Sequence, residues 1–311
     1  METTPPPSGK GIHMHHSNAA SRKRRLVGLT LAIALVLALV GCAQKTASTS
    51  ETSQTAAAPT EVILASTTST QDSGLFDVLI PAFEKAFPQY KVKVVAVGTG
   101  EALKLGETKD ADVLLVHAKA DEEKFVAAGF GVDRKNVMYN DFLIVGPPAD
   151  PAGVKSSKDT TAAMIAIEKA GEAGKTVFVS RGDDSGTNKK ELKLWAAAGI
   201  TTPTPETDKW YLSTGQGMGE TLKVADEKAG YTLVDRATFL SMQDSLPGLT
   251  ILFEKDKGLL NQYGVIVVTD AKNQVGGQAF YDWILSPAGQ KVVGAYGVKK
   301  YGQQLFVPNA E

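Results

Sequence analysis

The chain has few of the side chains that most often carry metal or nucleophilic chemistry. Its 311 residues include one cysteine, Cys42, and four histidines, of which only His117 lies beyond the first 16 residues. Zinc sites need a set of Cys, His or carboxylate ligands, and catalytic triads need a paired histidine. Neither can be assembled here, and no Walker-type glycine-lysine motif occurs. These absences disfavour an enzyme, and we expect no catalytic residue, no metal and no cofactor.

An excess of positive charge is also absent. The chain has 33 Lys and Arg against 34 Asp and Glu, a net charge of −1, and from residue 42 onward 28 basic residues face 33 acidic ones. A basic surface for nucleic acid is therefore excluded. The hydrophobic content of 43% is that of a globular protein, and the length favours two domains of ordinary size.

The first 60 residues have the pattern of a targeting segment and a tether. The basic stretch 22–25 precedes an apolar run, 26–40, which is too short to span a membrane comfortably but fits a signal-peptide core. The run ends at Leu39–Cys42, which resembles a bacterial lipobox. We expect a signal peptide over 1–41, a lipid anchor on Cys42 facing the extracytoplasmic side or periplasm, and a flexible linker to residue 60. The start codon, Met1 or Met14, stays open.

A strand, a hydroxyl-rich turn and a helix follow the tether. Glu61–Ala65 is a predicted buried strand, Ser66–Thr70 is five hydroxyl side chains in a row, and Asp72 with Ser73 is the predicted N-cap of a helix. Free backbone N–H groups and the positive end of the helix dipole converge at such a junction. The pattern predicts a site for an anion.

The same arrangement recurs along the chain. A strand at 91–97 ends in Gly98–Gly100, and a strand at 176–180 delivers Arg181–Asn188 to the start of another helix. Ligands of α/β sheets bind at the carboxyl ends of strands. The alternation restarts near Phe142 and a long strand returns at Tyr263, so we expect lobe 1 over 61–141 and 265–311, lobe 2 over 142–264, and two crossover strands as the hinge.

The junctions share neutral hydroxyl donors, close-approach glycines and a single arginine. A fully deprotonated tetrahedral dianion accepts hydrogen bonds and donates none, so a cradle of neutral donors with one arginine suits it. Arg181 could instead pair with Asp183 or Asp184, and a single Ser/Thr-rich turn is usually only a cap. The hydroxyl donors lie at Ser66–Ser69, Thr99, Ser185, Thr187, Ser213 and Thr214.

Four stretches together make the sequence similar to the tungstate-binding lipoproteins of ABC transporters. They are Ser66–Ser69, SRGDDSGT at 180–187, TGQGMG at 214–219 and YTLVDRATFL at 231–240. The resemblance implies the type II periplasmic-binding-protein fold, an α/β fold of two lobes with mixed sheets flanked by helices. It also implies a monomer that captures tungstate or molybdate for an ABC permease. Ser66 and Asn188 stand where the family usually has Thr and His.

The resemblance also implies which side chains bind the oxyanion. Thr67, Thr68, Arg181 and Thr187 match the family's binding positions, and Ser69, Thr99 and Ser185 are further candidates. A phosphate- or sulfate-binding protein of the same fold stays open, although the turn Val116–Ala120 lacks the aspartate that phosphate receptors use. An oxyanion sensor or a structural lipoprotein is the alternative from another class.

Overall fold

The computed structural model describes residues 58–310, in which strands and helices alternate. The strands are β1 (Thr60–Thr67), β2 (Tyr90–Val97), β3 (Val113–Val116), β4 (Gly131–Gly146), β5 (Phe178–Ser180), β6 (Tyr211–Ser213), β7 (Thr232–Asp235), β8 (Thr250–Phe253), β9 (Leu260–Val268) and β10 (Val307–Pro308). The helices are α1 (Thr68–Asp72), α2 (Phe76–Ala86), α3 (Thr99–Glu107), α4 (Lys119–Ala127), α5 (Thr160–Glu172), α6 (Gly186–Ala197), α7 (Met218–Glu227), α8 (Arg236–Met242), α9 (Gln274–Leu285), α10 (Pro287–Ala295) and α11 (Val298–Tyr301).

The expected signal peptide, residues 1–41, and the expected lipid attachment at Cys42 lie outside the described residues. Of the expected linker only 58–60 is described, and β1 already begins at Thr60. Within residues 58–310, no helix combines the length and the apolar character that a membrane crossing requires.

The main sheet is mixed, as expected. Its strand order is β10-β4-β9-β3-β1-β2. β1 runs parallel to β2 and β3, whereas β9 runs antiparallel to both β3 and β4. Helices cover both faces, which confirms the predicted α/β class. Because β1 and β3 are parallel neighbours, the turns that follow Thr67 and Val116 meet at the same edge of the sheet.

Strand β4 belongs to two sets of pairings. Up to Asp141 it pairs with β9, and from Phe142 onward it pairs with β7 and β8. On β9, pairing with β4 begins at Leu260. We call β1–β3, β9 and β10 with α1–α4 and α9–α11 the first lobe, and β5–β8 with α5–α8 the second lobe. The lobe boundaries drawn from the sequence remain a prediction.

Each lobe has apolar clusters of its own. In the first lobe, Phe83 packs edge-on against Phe280 and Trp283, with ring centroids 5.2 and 5.5 Å apart. In the second lobe, Trp195 is fully buried against Phe178, 5.1 Å away. Edge-to-face aromatic pairs add about 0.5–1.5 kcal/mol to the burial of their area. Each lobe is therefore supported by a packed aromatic cluster of its own.

Side-chain caps explain where several helices begin, and one predicted cap is wrong. Ser185 Oγ accepts from Asn188 N at the start of α6, and Asp235 accepts from Thr238 N at the start of α8. The helix that Asp72 and Ser73 were expected to cap, α2, instead has Leu75 at its N-cap with no side-chain hydrogen bond, and Thr67 caps a separate short helix, α1. The chain makes the short helix α1 there first, because Thr67 is extended (φ −110°, ψ 151°) and its Oγ1 accepts from Thr70 N.

Candidate anion-binding site

Two strand-to-helix junctions from different lobes meet face to face. The first is the end of β1 with α1, and the second is the end of β5 with the start of α6. Arg181 of the second junction donates from Nη1 to Ser69 Oγ, 3.0 Å away, and from Nη2 to Thr68 Oγ1, 2.9 Å away. These pairs are separated by 112 and 113 residues in sequence. The structure therefore brings the predicted hydroxyls and the predicted arginine together.

Arg181 is a buried cation, and one of its nitrogen atoms has no hydrogen-bond partner. The residue is 2% exposed, and its Nη2 forms an ion pair of 2.5 Å with Asp183 Oδ2. Its Nε has no hydrogen-bond partner. Asp183 also accepts from Ser185 N through Oδ1, so it fixes both the arginine and the turn. Asp184 instead pairs with Lys189.

The start of α6 presents a second free donor. Thr187 is 1% exposed, and its Oγ1 has no hydrogen-bond partner. Ser185 Oγ is the helix cap, and Thr99 Oγ1 of the first lobe accepts from Gly186 N at 3.1 Å. Thr99, Ser185 and Thr187 therefore lie at one helix N-terminus, where the helix dipole favours an anion.

Thr67 is turned away into an internal network. Its Oγ1 lies 2.8 Å from Thr70 Oγ1 and 3.2 Å from His117 Nε2. Burial lowers the pKa of His117 to about 4, so the imidazole is neutral. Asn261 Oδ1 lies 3.1 Å from His117 Nδ1, while Asn261 Nδ2 donates to Asn140. His117 Nδ1 is therefore the donor to Asn261, which leaves Nε2 to accept from Thr67. His117 therefore has a structural role in this network.

One buried acid, Asp235, and one half-buried acid, Asp72, lie at the cleft in roles that the sequence analysis did not predict. Asp235 is fully buried, and this burial raises its pKa to about 6. Its Oδ1 accepts from Thr238 N and Asn140 Nδ2, whereas its Oδ2 has no partner. Asp72 accepts from Gly219 N of the second lobe at 3.2 Å, and burial raises its pKa too. The available signal in the sequence was the position of Asp235 directly after the apolar run of the stretch YTLVDRATFL at 231–240.

The loop that follows β6 contacts the backbone on both sides of Arg181. Thr214 Oγ1 lies 3.2 Å from the carbonyl oxygens of Ser180 and Arg181, to which it donates, and 3.0 Å from Thr221 Oγ1. Ser213 packs against Gly182, whose φ of +58° is a left-handed value that glycine tolerates. This loop therefore holds the backbone that carries the arginine.

The lobes make several further contacts around the two junctions. Thr238 Oγ1 donates to the Ser69 carbonyl at 2.8 Å, and Ser241 Oγ donates to the Asp72 carbonyl at 2.7 Å. At Gly98, an added Cβ would lie 3.0 Å from the Asp183 carbonyl oxygen. Such close approach indicates a closed cleft that has room only for a small ligand. No three His, Cys, Asp or Glu side chains in residues 58–310 are grouped to hold a metal ion.

Comparison with known proteins places this cleft in a class. Residues 48–288 match the family model described as the PBP superfamily domain. The alternating architecture, the shared strand and the polar cleft between two lobes are features of that superfamily. The class defined by fold and site is a solute-binding protein of the periplasmic-binding-protein superfamily, which is not a class of enzymes.

Relatives of higher sequence identity define the family within this superfamily. The tungstate-binding protein TupA of Peptoclostridium acidaminophilum is 52% identical, covering 93% of this chain and 99% of that protein. The same-named protein of Campylobacter jejuni is 38% identical, covering 78% and 89%. The solved tungstate-binding protein TupA of Desulfovibrio alaskensis is 48% identical, with a TM-score of 0.65, and covers 82% of this chain and all of that one. The chain belongs to the TupA family of tungstate-binding proteins.

Proposed function

We propose that this protein captures tungstate between its two lobes and delivers it to the permease of an ABC importer. The relatives at 52% and 38% identity are named as tungstate-binding proteins. A solved structure at 45% identity, with a TM-score of 0.67, is described as the tungstate ABC transporter of Geobacter sulfurreducens. It covers 76% of this chain and 98% of that one.

The observation that carries the proposal is a pair of buried donors without partners. Arg181 Nε and Thr187 Oγ1 are both inaccessible to solvent and make no hydrogen bond. A buried donor left unsatisfied costs about 1–3 kcal/mol, and more when it is charged. An oxyanion held between them would satisfy both, and the arginine would supply its counter-charge. Two buried donors, one directly after β5 and one in the first turn of α6, fit a small ligand that only accepts hydrogen bonds.

We assign the remaining ligands by their positions around these two donors. Thr68 and Ser69 accept from Arg181 and have hydroxyl protons of their own to donate. Ser185 and Thr99 lie at the start of α6 beside Thr187. Thr67 acts differently from the others, because its proton is directed to His117 and its Oγ1 caps α1. Its role is to hold the turn that presents Thr68 and Ser69.

The membrane attachment is part of the proposal. The lipobox-like sequence that ends at Cys42 supports cleavage of residues 1–41 and a diacyl anchor on the cysteine. The low-complexity stretch that follows would connect the anchored cysteine to the binding lobes of the monomer. Retention of radiolabelled palmitate by the wild-type protein in a bacterial host, and its loss in Cys42→Ala, would support the anchor. Equal labelling of both proteins would contradict it.

Calorimetric titration of the chain without residues 1–41 tests the ligand. We expect tungstate, and molybdate as its chemical relative, to bind with one anion per chain. Sulfate and hydrogen phosphate should bind more weakly. The residues around Arg181 and Thr187 do not distinguish tungstate from molybdate, so the order of those two is an outcome of the measurement. Tighter binding of sulfate or phosphate would replace the assignment with another oxyanion. Binding of none of the four would favour a sensor or a structural lipoprotein.

A further inference from the structure

Asp235 lies beside the buried arginine, at the end of a neighbouring strand. β5 and β7 are joined by a parallel bridge between Phe178 and Tyr231, and Thr232 Oγ1 donates to the Val179 carbonyl at 2.7 Å. Arg181 follows β5 directly, and Asp235 is the last residue of β7. The carboxyl ends of parallel neighbours lie at one edge of a sheet. Asp235 is thus placed at the cleft without being an ion-pair partner of Arg181.

One oxygen of the Asp235 carboxyl group has no hydrogen-bond partner. Oδ1 accepts two hydrogen bonds, whereas Oδ2 is buried and has none. An ionised carboxylate in this setting would carry an unpaired oxygen in a region of low dielectric constant, which is costly. A proton on Oδ2 removes that charge, and it turns the oxygen from an acceptor into a donor.

The charged groups around Asp235 do not compensate an ionised carboxylate. Arg181 is already paired with Asp183, and Asp72 on α1 adds a second negative charge. On β9, Tyr263 is fully buried and its pKa lies well above the usual value, so it is neutral. His117 is neutral as well.

The neighbouring arginine on α8 does not help either. Arg236 is paired with Asp141 of β4 and also with Glu254. Its charge is therefore already balanced by two carboxylates. A dianion that enters the cleft would consequently find more negative than positive charge around it, as long as Asp235 is ionised.

We propose that Asp235 fits the cleft to a fully deprotonated oxyanion by holding a proton in the complex, so that capture of one dianion takes up one proton. The inference rests on the proposed function. An ionised Asp235 would instead favour an oxyanion that carries its own proton, such as hydrogen phosphate. One side chain therefore contributes to the choice between these two kinds of anion.

Linkage gives the sign of the expected pH effect. Burial raises the pKa of Asp235 to about 6 in the protein without ligand. An adjacent dianion raises it further, because it disfavours a second negative charge nearby. Between these two pKa values the complex holds the extra proton and the free protein does not. Tungstate affinity should therefore fall as pH rises through this range, by at most about tenfold per pH unit, and become constant above it.

Proton uptake can be measured directly on the chain that begins at Cys42. Tungstate is titrated calorimetrically at pH 7.5 in HEPES and in Tris, whose different heats of ionisation report the number of protons exchanged. We expect an uptake approaching about one proton per anion. In infrared difference spectra, tungstate should induce the carbonyl band of a protonated carboxyl group.

Three variants assign the proton to a residue. Asp235→Asn keeps an acceptor for Thr238 N and adds a neutral donor, so it should abolish uptake and the infrared band while binding tungstate at pH 8.5 at least as tightly as the wild type. His117→Gln and Asp72→Asn should retain uptake. Uptake that persists in Asp235→Asn, or that is lost only in His117→Gln or Asp72→Asn, would overturn the assignment.

The wild-type protein alone also tests the inference, should Asp235→Asn fail to fold. Tungstate binding without proton uptake and without the infrared band would overturn the role of Asp235 and leave the proposed function standing. Absence of tungstate binding would overturn both.

Discussion

The two junctions of the cleft have the same local architecture and opposite states of hydrogen bonding. At the end of β1, Thr67 is satisfied by Thr70 and His117, and the junction has no cation, since Asp72 is the charged residue of α1. At the end of β5, Arg181 and Thr187 each keep a buried donor free. Both junctions are hydroxyl-rich in sequence, so composition alone does not separate them. This difference supports the proposal that the second junction attracts the anion with its cation, whereas Thr67 in the first junction holds the turn that presents Thr68 and Ser69.

Removing the charge of the second junction should have the largest effect. Truncation of a buried, hydrogen-bonded charge costs about 2–5 kcal/mol in binding, which is roughly 30-fold to several-thousand-fold in affinity. We expect Arg181→Ala to weaken tungstate binding by at least the lower figure, as measured by calorimetry.

Arg181→Lys is the matched control for charge. It keeps the cation but loses the planar fork that reaches Thr68 and Ser69, so its affinity should lie between that of Arg181→Ala and that of the wild type. Unchanged affinity in Arg181→Ala would remove the distinction between the junctions.

Acid should act on the first junction through His117. Its pKa falls from 6.5 to about 4 because burial disfavours the imidazolium. A lowered histidine pKa contributes stability that is complete above about pH 6.5 and is lost as pH falls toward 4. The loss is roughly 3 kcal/mol at about 1.36 kcal/mol per pKa unit.

The unfolding free energy of the wild type and of His117→Gln, measured by urea between pH 7 and 4, tests this contribution. The variant should be less stable at pH 7 and should lose less stability on acidification. Parallel curves for the two proteins would show that His117 does not titrate in this range.

A pair of isosteric substitutions compares the junctions most directly. Thr187→Val removes a hydroxyl that has no partner in the free protein, so binding should weaken by about 1.5–3 kcal/mol while stability stays constant or rises. Thr67→Val removes a hydroxyl that has three contacts, so stability should fall by about 1–3 kcal/mol. Thermal melts and calorimetry on both variants measure the two effects. Loss of stability in Thr187→Val would contradict the assignment of its hydroxyl to the ligand.

The local parts of the site were predictable from the sequence. A strand followed by Ser185 and a helical pattern is a short-range signal, and the structure has β5, the Ser185 cap and α6 there. The cap at Asp72 and Ser73 was wrong because α1 has five residues, too few to show a helical period. The burial and hydrogen bonding of Asp235 and His117 depend on residues more than 90 positions away, so they are visible only in the fold.

Strand β4 was predicted only in part, for a related reason. The sequence analysis placed a restart of the alternation near Phe142, where a continuous apolar run begins, whereas β4 begins at Gly131. Its first half is polar, because much of it is only partly buried beside β9 and β10. The short strands β6 and β8 were missed since three or four residues carry too little pattern.

The pairing of Asp141 with Leu260 has a consequence for how such a protein can be altered. The two residues face each other on adjacent antiparallel strands, so the chain leaves the first lobe and rejoins it at neighbouring positions. Residues 142–259 are topologically an insertion into an otherwise unbroken sheet. We therefore expect that the half of the cleft that supplies the cation can be exchanged between relatives as one continuous segment.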